Sequence, residues 1–380
     1  MADSIRVGAY INVDAFRHNL MQIKNKLPSD TLVMPVIKAD AYGHGVEFAV
    51  KGTNELADYY AVAIIEEAVT LRECGVKKPI MILGHTAPCD FLKAIENDIT
   101  VTVFSFDTAQ KLSQSCKKAG KTAKVHIAVD TGMSRIGFKC TENSVEQIKK
   151  ITELPNIIAE GLFSHFASAD EKEKDFAHTQ LQRFDSFVKL LEAENIFIPI
   201  KHISNSAAIM DLPESIRTMA RPGIILYGLY PSDEVKKEQL KLKPVMELIS
   251  RVACVKEIEE GDCVGYGCTF RAEKKMKIAT IPVGYADGYP RILSNKGRVI
   301  INNEYAPIIG RVCMDQFMVD VTHIESVNEL DKVILIGQQG DKAVTAEEVA
   351  SLAGTINYEV TCGISKRVPR IYKDVNSLEK

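Results

Sequence analysis

Short apolar runs recur through the N-terminal part of the chain, and between them apolar positions return every three or four residues. The runs Leu32–Ala39, Tyr59–Ile65, Ile80–Gly84, Val101–Phe106, Lys124–Asp130, Ile157–His165, Ile200–Ser204 and Thr218–Gly228 read as buried strands. Asp107–Ala119, Ser144–Glu153 and His178–Glu194 carry the spacing of amphipathic helices. Ahead of them, residues 5–13 alternate as a strand, and Asp14 is expected to cap a helix running to about Leu27. Strand and helix signals in alternation predict βαβ units on a parallel sheet. Eight such runs fit a closed (β/α)8 barrel better than an open sheet. A doubly wound sheet is the alternative, but no GxGxxG opens any of the helices.

Past the charged, proline-bounded stretch Pro231–Pro244 the texture changes to strands separated by turns. Asn302-Asn303 reads as a hairpin tip, and only Thr345–Ala353 reads clearly as a helix. The expected fold class is therefore α/β + β. Residues 1–240 form a (β/α)8 TIM-like barrel and residues 241–380 a mostly β domain, with which residues 1–13 are candidates to pair. No internal repeat is present.

Composition narrows the function. At 380 residues the chain exceeds one ordinary core, and 46% hydrophobic with 26% charged residues is a normal globular balance. A net charge of -3 gives no reason to expect nucleic acid or a membrane surface as partner. No apolar run approaches the roughly eighteen residues that span a bilayer, and residues 1–10 lack the core of a signal peptide. Nine cysteines without a CxxC pair predict reduced thiols in a cytoplasm, not a disulfide framework or structural zinc. Eight histidines without HExxH spacing argue against a catalytic metal.

A barrel places its chemistry at the carboxyl ends of its strands. Lys38 ends the first run, Asp130 through Arg135 follow the fifth, and His165 ends the sixth. Asn205 and Ser206 end the seventh, and Arg221 with Gly223 sit in the eighth. Desolvation at a strand end lowers a lysine's pKa and makes its amine a nucleophile toward carbonyls. Tyr42 offers a hydroxyl nearby, and Gly43 and Gly45 permit close backbone approach. The run Ser204-Asn205-Ser206-Ala207-Ala208 and the run at 220–224 put small and hydroxyl residues at turns suited to an anion.

The decapeptide Val36-Ile37-Lys38-Ala39-Asp40-Ala41-Tyr42-Gly43-His44-Gly45 resembles the pyridoxal-phosphate lysine motif of the alanine racemases. The resemblance runs from about residue 5 to 373. It implies pyridoxal 5'-phosphate as cofactor, held covalently by Lys38. Tyr42, Ser206, Gly223, Ile224 and Tyr358 match the family's phosphate-binding positions, with Asn205 and His165 also toward the cofactor. Arg221 matches the residue facing the pyridine nitrogen, and His202 one that supports it. An arginine cannot accept a proton, so the ring nitrogen beside it stays unprotonated and is a weaker electron sink.

Racemisation needs a base on each face of the substrate α-carbon. Lys38 serves one, and Tyr266, between Gly265 and Gly267, matches the family's catalytic tyrosine. The resemblance further implies a homodimer in which Tyr266 of one subunit completes the other's site. Arg135 and the backbone of Met314 would hold the substrate carboxylate. Asp170, Tyr285, Arg291 and Arg311 match positions of the entrance channel. One departure stands out: where the family commonly has a carbamylated lysine, this chain has Ala128. A bound chloride or other anion near Arg135 is the expected substitute. The activity implied is L-/D-alanine interconversion supplying cell-wall peptidoglycan. The rivals are a serine or broad-specificity racemase, a decarboxylase on a related architecture, and a non-catalytic carrier of the cofactor.

Overall fold

The structure is a computed structural model that describes residues 6–53 and 55–373. Ile5, where the expected first strand begins, lies outside the described residues, as do the outermost ends of both expected domains. The described chain divides into two compact units, one of residues 16–41 and 46–243, the other of residues 6–15, 42–45 and 244–373.

The first unit is built on eight short parallel strands: β1 (Leu32–Val33), β2 (Tyr60–Val62), β3 (Ile80–Ile82), β4 (Ile99–Val103), β5 (Ala123–Asp130), β6 (Ile157–Phe163), β7 (Ile200–His202) and β8 (Met219–Ala220). Strands β2 to β7 pair in chain order, and β8 pairs in parallel with β1. Backbone bonds close the ring: Ile37 N–H donates to the Ala61 carbonyl at 2.9 Å and Ala61 N–H to the Pro35 carbonyl at 3.0 Å, and Arg221 N–H donates to the Ser204 carbonyl at 3.0 Å. The strands are mostly buried, by the ring interior on one face and the surrounding helices on the other. The helix Phe106–Ala119 shows how the sequence sets such a layer. Ser105 Oγ accepts from the Thr108 amide, Ala109, Leu112 and Cys116 are buried, and Gly120 ends it at φ 62°.

Several boundaries differ from expectation. The run expected as a strand over Thr218–Gly228 is paired only at Met219–Ala220, and Ile224–Tyr227 is a helical turn. Pro222 and Gly223 interrupt the ladder there. Asn12, not Asp14, caps the first helix Val13–Lys26, its Oδ1 accepting from the Ala15 amide at 2.9 Å. The expected strand Leu32–Ala39 ends early as well. From Ala39 to Ala41 the backbone is left-handed, with φ 54°, 52° and 53°. Such turns cost non-glycine residues about 1–2 kcal/mol each. Glu67 anchors this one, one carboxylate oxygen accepting from the Ala39 amide at 2.6 Å and the other from the Ala63 amide at 2.8 Å.

The second unit is a mostly antiparallel sheet. Val7–Asn12 lies between Met246–Arg251, antiparallel, and Arg370–Lys373, parallel. Asn302 and Asn303, at φ 50° and 64°, turn the hairpin between Arg298–Ile301 and Glu304–Ile309. The helix expected from Thr345 runs Ala346–Ala353 with Thr345 as its cap. A second helix, Asn357–Gly363, was not expected from the sequence.

Candidate active site

The first unit holds a cavity of about 280 Å³ at the carboxyl ends of its strands. Lys38, Asp130, Arg135, His165 and Arg221 all line it, together with Ala128, Ser164 and His85. Strand ends are where backbone amides stop pairing and side chains turn inward, so the ring delivers residues distant in sequence to one place.

Arg221 is 3% exposed and is gripped from several sides. Nη1 donates to His202 Nδ1 at 2.9 Å. Nη2 donates to His165 Nδ1 at 3.0 Å and to the Ser164 and Ile203 carbonyls at 2.8 and 3.1 Å. Its guanidinium also lies 5.7 Å from the Phe163 ring centre. No carboxylate pairs with it among the described residues. Burial, and then the charge of Arg135, bring its pKa down to about 9. The same burial and the Arg221 charge hold His165 and His202 well below the usual histidine range, so both rings are neutral. No hydrogen bond from Nε–H of Arg221 is made among the described residues, and the side chain lines the cavity.

Near this arginine, Ser206 Oγ accepts the Gly223 amide at 2.9 Å, and Asn205 caps the turn from Ser206, its Oδ1 accepting from Ala208 N at 3.0 Å. Ile224 follows, fully buried. Asp130 folds the loop before Arg135, accepting from the Gly132 and Ser134 amides at 3.0 and 2.9 Å. Arg135 itself has no anionic partner among the described residues, and Ala128 beside it in the cavity wall brings none. Asp170 lies past His165, its carbonyl accepting from Ser232 Oγ at 2.5 Å.

The remaining candidates belong to the second unit. Tyr42 and Tyr358 meet with ring centres 6.0 Å apart, and burial pushes the Tyr42 phenol far up. Tyr266 is 72% exposed, at the tip of the hairpin between Cys263–Val264 and Phe270–Arg271. Gly265 and Gly267, at φ 71° and 72°, turn it outward. A side chain at 267 would come within 3.2 Å of the Arg311 guanidinium, which lies against that turn. The Tyr285 and Ala286 amides donate to the Cys313 and Met314 carbonyls at 3.1 and 3.0 Å, so Tyr285 and Met314 are neighbours. Arg291 is exposed on the next turn, Arg291–Leu293. All nine cysteines are free.

Sequence reasoning passed over His126 and Glu160. His126 is fully buried on β5, its Nδ1 2.8 Å from His202 Nε2, and Glu160 on β6 stands 3.6 Å from its Nε2. The only sequence signal was a histidine in an otherwise apolar strand.

Residues 11–231 match the profile of the family described as alanine racemase, N-terminal domain, and residues 245–372 that of alanine racemase, C-terminal domain. The chain is 51% identical over 367 residues to alanine racemase 1 of Clostridium acetobutylicum, spanning 96% of this chain and 95% of the relative. The solved alanine racemase of Clostridium difficile 630 superposes with a TM-score of 0.94 at 45% identity, covering 98% of this chain and 97% of that one. A histidine racemase from Leuconostoc mesenteroides is also similar, with a TM-score of 0.88, 29% identity, and 98% and 99% of the two chains covered.

Proposed function

The chain belongs to the alanine racemase family, and from that premise we propose that it interconverts L- and D-alanine with pyridoxal 5'-phosphate, using Lys38 and Tyr266 as its two bases. The reading is supported above all by the meeting of Lys38, Arg221, His165 and Arg135 around one cavity at the strand ends. The donor set suits the cofactor: an amine, a buried guanidinium with Nε–H unclaimed among the described residues, and the Ser206–Gly223 turn with its small side chains.

The cofactor, when bound, delocalises the electron pair left on the α-carbon as its proton departs. Lys38 tethers it and then moves a proton at Nζ on one face of the substrate. Tyr266 of the partner subunit moves a proton at Oη on the other, in a homodimer that shares each site. Arg221 would donate a hydrogen bond toward the ring nitrogen and leave it unprotonated, a weaker electron sink that would restrain side reactions. Tyr42, Asn205, Ser206, Gly223, Ile224 and Tyr358 hold the phosphate, and His165 orders the site through Arg221. Arg135 and the Met314 amide hold the substrate carboxylate, with chloride or another anion beside Arg135 in place of the missing lysine charge. Asp170, Tyr285, Arg291 and Arg311 narrow the entrance toward small substrates. The boundary between the barrel and β domains falls at about residue 240, and the enzyme is cytoplasmic, its D-alanine serving peptidoglycan synthesis.

The test is the decay of optical rotation in separate L-alanine, L-serine, L-lysine and L-histidine solutions with the cofactor present. Fast loss for alanine alone is expected. Comparable loss for a larger substrate would overturn the specificity, and no loss for any would overturn the activity.

A further inference from the structure

A row of buried polar groups runs from Arg221 away from the cavity, across the barrel interior, and nothing in the proposed chemistry uses its far end. Its hydrogen bonds have a forced direction. Arginine only donates, so Arg221 Nη1–H points at His202 Nδ1, 2.9 Å away, and that nitrogen must be bare. His202 is neutral, so its proton sits on Nε2. From there it reaches only His126 Nδ1, at 2.8 Å. His126 must then also be neutral with its proton on Nε2, facing Glu160 Oε2 at 3.6 Å. Neither of those two atoms has another partner, and His126 is fully buried. The contact is long for a hydrogen bond, but it joins the last donor of the row to an acceptor.

When ionised, Glu160 can only accept, and its surroundings keep it ionised. Burial pushes its carboxyl up, but His126 and the Lys124 ammonium beside it outweigh this and bring it to about 2. Lys124 Nζ lies 3.0 Å from the other carboxylate oxygen. A pure donor at one end and a pure acceptor at the other thus leave each histidine one tautomer. The fold makes room for this. The β5–β6 register shifts between Val125 and His126, and a Cβ at Gly161 would stand 2.3 Å from His126 Nδ1.

We propose that His126 and Glu160 are positioning residues for the racemisation site: they lock His202 as its Nε2–H tautomer and so keep Nδ1 as the acceptor that seats Arg221. With the other tautomer, an N–H of His202 would face an N–H of Arg221, and the guanidinium would leave its seat. The inference rests on the cofactor role given to Arg221 above. The carboxylate stands two imidazoles from Arg221, which anchors the arginine without setting an anion against it.

The test has two arms. In holoenzyme labelled with [15N]histidine, ring nitrogen shifts read the tautomers directly, with His202 and His126 identified by loss of signal in H202N and H126N. Both should be neutral Nε2–H. In the second arm, H126L and E160L remove the acceptors, whereas H126N and E160Q keep an oxygen at each. The leucine variants should lose roughly 10- to 100-fold in kcat/KM, the scale for removing a partner that orients a functional histidine, and should bind the cofactor more weakly. The amide variants should recover most of that loss. A His202 found as Nδ1–H, or an H126L as impaired as H126N, or an H126L as active as the native enzyme, would overturn the proposal. The tautomers are read whether or not the enzyme racemises alanine, so a failure of the proposed activity is distinguishable.

Discussion

Acidification from about pH 7.5 to about pH 5.5 should destabilise the barrel steeply, because three neutral histidines are built into its interior. Burial lowers His126, and burial with the nearby Arg221 charge lowers His165 and His202 well below the ordinary value. In the unfolded chain each ring takes up a proton near pH 6.5, but in the folded barrel it does not. Depressed folded values mean that the stabilisation is fully present above about pH 6.5 and is lost as pH falls toward the folded values. For a ring that stays neutral throughout, the loss is about 1.4 kcal/mol over this interval, so His165 and His202 together give about 3 kcal/mol, and His126 adds to it in the same direction. Glu160, held at about 2, contributes almost nothing in this window.

The measurement is guanidinium unfolding followed by circular dichroism or tyrosine fluorescence at half-unit pH steps; the chain has no tryptophan. H202N should reduce the loss over this interval by about 1.4 kcal/mol, since one titrating ring is gone. A flat profile between those pH values would refute the assignment of neutral rings. A native slope unchanged in H202N would refute the attribution to this row.

Replacing Lys38 with Ala should abolish covalent retention of the cofactor and lower racemisation by about a thousandfold or more, as for removal of an activated nucleophile; full retention after gel filtration would count against its role. Tyr266→Phe should bind the cofactor normally yet stop solvent deuterium entering one alanine enantiomer, read by mass spectrometry, and exchange from both would sink the two-base reading. With no carboxylate beside Arg135 among the described residues, KM for alanine should be several-fold lower in chloride than in a bulky inert anion (~3-fold or more, for a charge-assisted contact), and equal values would remove the anion. Gly43→Ala should cost about 2–4 kcal/mol or more, since a Cβ at φ +81° would stand 2.1 Å from the Thr361 carbonyl oxygen, and a thermal midpoint within a degree of native would refute that packing.

The barrel was legible because its signal is local and repeated. Each apolar run is short, and segments such as Asp107–Ala119 and Ser144–Glu153 carry helical spacing close to where helices form. The strand ends were less legible. Backbone bonds, not apolar texture, decide where a strand stops, so the run through Ile224–Tyr227 read as strand although it forms a turn. The left-handed turn after Lys38 was invisible for a stronger reason. Nothing in Ala39-Asp40-Ala41 favours positive φ, and the carboxylate of Glu67 that holds it comes from a separate helix.

The site divides along the same line. Lys38, Arg135, His165 and Arg221 could be listed from the sequence because each ends a strand, and a barrel brings strand ends together. His126 and Glu160 lie within strands, where alternation marks a residue only as inward or outward. Their meaning depends on a partner in the neighbouring strand and on a register shift that no single-strand pattern encodes. A buried histidine is also ambiguous by itself, since either nitrogen can carry the proton. What removes the ambiguity is the pair of fixed ends, an arginine that only donates and a carboxylate that only accepts. Cutting either end should therefore release both histidines, although Glu160 and Arg221 never touch. Coupling of that kind is measurable: E160L and H202N should show a combined effect well short of the sum of their separate losses, as expected for members of one hydrogen-bonded row. Additive losses would mean that the row is only a set of neighbours.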